Sequence, residues 1–156
     1  MPIEHHSELV RRGLRLHEGR KYERALPFFV QALEQCATCP NAMYNLANTL
    51  HMLGRDTEAC VLLRELTQAS DQDLLEGCDD LAGTPRSLRL DAYFLLFITT
   101  LFAEGEWRKA VPHLRQHLQA RARGVRSLWS KAGVLREAEQ LRRAHSPRSR
   151  PVADRT

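Results

Sequence analysis

The stretch Asn41-Ala42-Met43-Tyr44-Asn45-Leu46-Ala47-Asn48-Thr49-Leu50, followed by Leu53-Gly54-Arg55 and then Glu58-Ala59, decides how this chain is read. Its apolar residues recur at the i, i+3, i+4 and i+7 spacing of a helix. A glycine then breaks the pattern, and a second helical pattern begins. The unit has copies. Subtracting 34 from Met43, Ala47, Leu50, Ala59, Leu63 and Leu66 gives Leu9, Gly13, Leu16, Ala25, Phe29 and Ala32. Adding 51 to the same six, one period plus 17 residues, gives Phe94, Ile98, Leu101, Ala110, Leu114 and His117. The turn glycine recurs as Gly105, Tyr22 matches Trp107, and Pro27 matches Pro112. Self-similarity at such a period marks stacked helical units, none of which buries its apolar face alone.

The repeated positions have a packing logic. Small residues (Gly13 with Ala25, Ala47 with Ala59) let the two helices of a unit approach closely, and Leu, Met and Phe fill the space around the crossing. Three positions depart from the pattern. Arg12 stands where Leu46 and Phe97 are apolar, which leaves the first unit partly exposed. Ile98 replaces the small residue, which predicts a wider crossing in the third unit, and His117 replaces an apolar residue.

These residues resemble the tetratricopeptide-repeat (TPR) family, whose 34-residue unit is a helix–turn–helix. The resemblance covers Glu8 to Gly124 with one interruption. It implies an all-α, TPR-type superhelix, a solenoid of three helix pairs with a short inserted helix and a carboxy-terminal capping helix. The expected domain runs over 1–145, with repeats at about 7–39, 40–69 and 87–124, an insertion at 70–86 and a capping helix at 127–144. The predicted helices span about 7–18, 23–36, 41–53, 57–69, 87–104 and 107–122. The insertion predicts a helix of two turns from Asp71, with Leu74 and Leu75, before a Gly83-Thr84-Pro85 turn. In the capping helix, Leu128, Ala132, Leu135, Ala138 and Leu141 form the apolar face. Residues 146–156 are polar, rich in arginine and proline, and expected to be a disordered tail.

In the TPR family the first helix of each unit lines an inner face that holds peptides or partner proteins. Carried over by the repeat alignment, that face falls on Tyr44, Asn45, Asn48, His51 and Met52 in the second unit, and on Leu95, Leu96, Thr99 and Phe102 in the third. In the first unit it falls on Val10, Arg11, Leu14 and His17. Asn45 and Asn48 can bond both donors and acceptors of an extended peptide. A carboxylate clamp is not expected, because Val10, Leu14, Ala92 and Leu96 occupy the places where such members carry Lys and Arg. The resemblance therefore implies a scaffold or adaptor that binds a peptide or protein, with no catalytic residue, cofactor or metal.

Tyr93 to Ile98, Leu101 and Phe102 make the first helix of the third unit apolar all round, so something must cover it. The insertion, folding back with Leu74 and Leu75, is the preferred cover. A partner or a second copy of the chain, forming a homodimer, is the alternative.

Charge is uneven. Up to Trp107, Lys and Arg number 10 against 16 Asp and Glu; beyond it they number 13 against 3. A nucleic-acid or anion binder using Arg121, Arg123, Arg126, Lys131, Arg136, Arg142, Arg143, Arg148 and Arg150 is the alternative function. It is disfavoured because Trp129 is the one aromatic among them. The longest apolar run, Ala92 to Ala103, would span about 18 Å as a helix, short of a ~30 Å hydrocarbon core. With no apolar leader at its start, the chain reads as cytoplasmic with reduced thiols. Cys36 and Cys39 form a C-x-x-C at the end of a helix, where the dipole disfavours a thiolate. Cys60 and Cys78 stand at no spacing that completes a zinc site, and His113 and His117 lack a third ligand.

Overall fold

The computed structural model describes residues 5–76 and 85–146. Those residues form eight helices and no strand: α1 (His6–Glu18), α2 (Tyr22–Gln35), α3 (Pro40–Met52), α4 (Asp56–Gln68), α5 (Asp71–Glu76), α6 (Pro85–Glu104), α7 (Trp107–Ala122) and α8 (Lys131–Ala144). The fold is all-α. From α1 to α7 each long helix packs chiefly on its neighbours in sequence, with α5 skipped: α1 on α2, α2 on α3, α3 on α4, α4 on α6, and α6 on α7. Lighter contacts join α1 to α3 and α3 to α6.

The period read from the sequence is a period of burial. Of the eighteen aligned repeat positions, Leu16 alone is half-buried, and all the others are buried, His117 included. The turns repeat as well. Arg55 N–H donates to Leu50 O and Gly54 N–H to His51 O; 34 residues earlier, Lys21 N–H donates to Leu16 O and Arg20 N–H to His17 O. Both are helix ends closed by a residue in the left-handed region. Gly54 has φ 72° there and Gly105 has φ 69°, but the first copy places Arg20 in that region, at φ 56°.

The small residue Gly13 meets a different partner from the one expected. A Cβ on Gly13 would lie 2.6 Å from Cε1 of Phe29, so the approach it permits is to that fully buried ring as well as to the helix carrying Ala25. Arg12, at the exposed end, lays its guanidinium over the Phe28 ring at 4.6 Å.

Two cores meet on α6. One runs through α1 to α4 and ends on Ala92, Leu95 and Leu96. The other joins Phe94, Phe97, Ile98 and Leu101 to Ala110 and Leu114 of α7 and to Val134, Ala138 and Leu141 of α8. The insertion contributes as expected through one leucine. Leu74 of α5 is fully buried in the first core, worth roughly 1.5–3 kcal/mol, while Leu75 is 61% exposed. The Gly83-Thr84 part of the expected turn, and the tail from 147 onward, lie outside the described residues.

The capping helix differs from its expectation in start and in register. It begins at Lys131, not at 127, with Ser130 as its N-cap accepting from Gly133 N–H at 3.0 Å. Leu128 is 77% exposed and Leu135 45% exposed, and the buried face is Val134, Ala138 and Leu141. The cause is a buried carboxylate. Asp91 on α6 accepts from Ser127 Oγ at 2.5 Å and from Leu128 N–H at 3.1 Å, and Ser127 Oγ in turn accepts from Trp129 N–H at 3.0 Å. Residues 127–129 are thus committed to a capped turn, and the helix starts after it.

Two stability outcomes are expected. Gly13→Ala presses a methyl into the fully buried Phe29 ring and should destabilise by about 1–3 kcal/mol in urea unfolding. Arg20→Gly removes a left-handed L-residue. After allowance for glycine's extra unfolded-state freedom it should be neutral to stabilising by up to about 1 kcal/mol, whereas Gly54→Arg should be destabilising.

Candidate functional site

Within α3, Met43, Ala47 and Leu50 turn to the core, so Asn45, Asn48 and Met52 come to the opposite side. Asn45 and Asn48 are half-buried and Met52 is 49% exposed. Asn45 Nδ2 donates to Asn41 O at 2.8 Å, which fixes that amide on its own helix.

A directional chain of hydrogen bonds links α1 to α3. Thr49 Oγ1 donates to Asn45 O at 2.7 Å, so its proton is committed. His17 Nδ1, 2.9 Å from Thr49 Oγ1, must therefore carry a proton and donate it. That leaves His17 Nε2 as the acceptor for Asn48 Nδ2 at 3.4 Å. The neutral imidazole satisfies every partner, whereas a protonated ring would set N–H against N–H at Asn48. Burial holds the His17 pKa below its usual value, with Glu18 opposing.

The row continues across the molecule. His51 Nδ1 donates to Asp56 Oδ1 at 2.5 Å, and its ring stands edge-on to Phe102 at 5.3 Å. Phe102, 56% exposed, faces His145 at 6.2 Å. Side chains at the carboxyl ends of α1, α3, α6 and α8 thus form one surface strip: His17, Asn48, His51, Phe102 and His145. Its rings and amides offer flat apolar faces beside hydrogen-bonding edges.

The structure does not bring all the expected face residues to that strip. Tyr44, Leu95, Leu96 and Thr99 are buried by the chain itself, as is Val10. Leu95 and Leu96 belong to the first core along with Leu74. Thr99 Oγ1 accepts from Cys60 Sγ at 3.3 Å and donates to Leu96 O at 3.3 Å. Tyr44 has its pKa pushed up to about 12 by burial and by the Asp91 charge, the Trp129 side-chain hydrogen bond opposing. Of the expected face, Asn45, Asn48, His51, Met52 and Phe102 stay at least partly accessible, and those four do not. Thr49, absent from the expected face, proves to orient His17. Its placement within the quoted stretch, one residue after Asn48, was the available signal.

The other candidates lie away from the strip or outside the described residues. Cys36 and Cys39 flank the turn between α2 and α3, where Cys39 N–H donates to Cys36 O at 3.1 Å. Cys78 lies outside the described residues. His117 is fully buried, its Nδ1 donating to Leu90 O at 2.8 Å, while Nε2 has no hydrogen-bond partner among the described residues. Among the described residues no group of three or more His, Cys, Asp or Glu is placed to hold a metal, and no helix is long and apolar enough to cross a membrane. Several carboxy-terminal arginines are engaged. Arg121 donates to Trp129 O, and Arg142 and Arg143 share Glu139, whose pKa their hydrogen bonds hold down to about 2.

His17, His113 and His117 all have pKa values lowered chiefly by burial. In the unfolded chain they take up protons near pH 6.5, before the folded chain does. Their contribution to stability is therefore present above about pH 6.5 and is lost as pH falls through their folded values. The urea midpoint should drop between about pH 7.5 and 5.5, and His17→Gln should reduce the drop; a midpoint that rises over that interval would refute the assignment. No family model matches the chain, and no curated protein matches it.

Proposed function

We propose that the chain is a TPR-type scaffold of three stacked helix pairs that binds an extended segment of a partner protein along the strip from His17 to His145. The observation that carries this reading is the strip itself. Exposed Phe102 stands edge-on to half-buried His51, and exposed Met52 shares with half-buried Asn45 and Asn48 the side of α3 opposite its core face, so apolar and hydrogen-bonding groups are offered together. Such a mixture suits a peptide, whose backbone needs polar partners and whose side chains need apolar contact. The burial of the aligned repeat positions, the matching turns at Leu16–Lys21 and Leu50–Arg55, and the order in which the helices pack all support a repeat architecture.

The oriented hydrogen bonds from Asn48 through His17 and Thr49 to Asn45 favour pre-organisation. Side chains already held in one arrangement lose less freedom on binding. The partner's segment is expected to insert an apolar residue against Met52 and Phe102, with its backbone over Asn48 and His51.

Peptide display against the full chain, followed by titration of the recovered peptides, tests this. Phe102→Ala or Met52→Ala should weaken binding by about 1–2 kcal/mol and leave thermal stability nearly unchanged, since both side chains are exposed. Recovered peptides that bind wild type and a Met52→Ala/Phe102→Ala variant equally would overturn the reading.

A further inference from the structure

At the opposite end of α6 from Phe102, about 20 Å along the helix, lies a cleft. Its volume is about 360 Å³, within the range of roughly 300–1,000 Å³ usual for ligand sites. Arg86, Arg89, Leu90 and Tyr93 of α6 form one wall, Gln116, Gln119 and Ala120 of α7 form the other, and Arg123 and Val125 close the end. Leu90, Ala120 and Val125 are its apolar lining. Every polar side chain in it can donate a hydrogen bond, and among the described residues no carboxylate lines it.

The charges are partly compensated. Asp71 receives Arg89 Nη1 at 2.5 Å and lies 3.6 Å from Arg86 Nε. Arg89 also donates through Nη2 to Ala69 O. Arg89 is thereby fixed, a source of field more than a contact. The Arg86 side chain is 74% exposed, and Arg123 is exposed too, so both are able to move onto a ligand. Among the described residues, three guanidiniums against one carboxylate leave an excess of two positive charges. Helix α7 (Trp107–Ala122) carries no acidic residue to offset them.

We infer that this cleft binds a phosphate monoester. The ester carries about −1.5 to −2 charges at neutral pH, which matches the excess, whereas a carboxylate would leave half of it uncompensated. Guanidinium forks suit the three oxygens. The amides of Gln116 and Gln119 and the Tyr93 hydroxyl add neutral donors. Leu90, Ala120 and Val125 receive the body of the ester. The site is separate from the strip proposed for peptide binding and does not depend on it.

Calorimetric titration of the full chain at low ionic strength, with phenyl phosphate, AMP, inorganic phosphate and benzoate as probes, tests the inference. Phenyl phosphate or AMP should bind about tenfold or more tightly than benzoate. Tighter binding of AMP identifies a nucleotide as the source of the phosphate; tighter binding of phenyl phosphate identifies a phosphorylated aromatic side chain. Arg86→Gln/Arg123→Gln should weaken ester binding about tenfold or more. Arg108→Gln/Arg136→Gln, which removes the same charge elsewhere on the surface, should leave it unchanged. Equal losses in the two double variants would reduce the effect to diffuse surface charge and overturn the inference. So would equal binding of benzoate and phenyl phosphate, or no measurable binding of any ester.

Discussion

Helix α6 is apolar on nearly every side, and a helix of that kind persists in water only when other elements cover each side in turn. The arrangement of the chain follows from meeting that demand. On one side α6 completes the core built by α1 to α4, to which α5 adds Leu74. On another, Phe94, Phe97, Ile98 and Leu101 receive α7 and α8. The one carboxylate in its buried middle, Asp91, is held above its ordinary pKa by burial and is partly relieved by Ser127 and the Leu128 amide. A polar requirement inside an apolar helix thus dictates where α8 begins.

The surface strip depends on the same post. Phe102 emerges where α6 leaves the core, and its neighbours His51 and His145 come from helices packed on either side. The strip's geometry is set by backbone elements that the two cores fix, so its side chains need little further ordering. The basic cleft lies near the other end of α6, where the helix again reaches solvent. Both surfaces arise where a buried helix runs out of cover.

Much of this was legible in the sequence. The 34-residue period located the buried positions, from Leu9 and Ala25 to Leu114, because each is fixed by packing within one helix pair and repeats with it. Helix ends fell within about two residues for the same reason, α8 excepted. Long-range effects were not legible. The turn at Ser127–Trp129 answers to Asp91, 36 residues earlier, and no local pattern announces it. Leu95, Leu96 and Thr99 were assigned to an open face by alignment with the second unit. That alignment cannot register the cover given by Leu74 or the Cys60–Thr99 bond. His17 stood on the expected face, but its tautomer follows from the Thr49 proton, which only coordinates reveal. The cleft is not legible in the sequence because Arg123, just past the end of α7, joins Arg86 and Arg89 of α6 only through the α6–α7 pairing.

The placement of the two indoles has a practical corollary. Trp107 sits edge-on to Phe97 at 5.5 Å, and Trp129 edge-on to Phe94 at 5.4 Å. Trp107 therefore watches the junction of α6 with α7, whereas Trp129 touches both cores, through Phe94 and through its hydrogen bond with Tyr44 of α3. Trp107 emission and far-ultraviolet dichroism, recorded together during denaturation of a Trp129→Phe variant, compare the carboxy-terminal half with the whole. Coincident curves mean that the post transmits cooperativity between its two sides, and a split between them means that each side melts by itself.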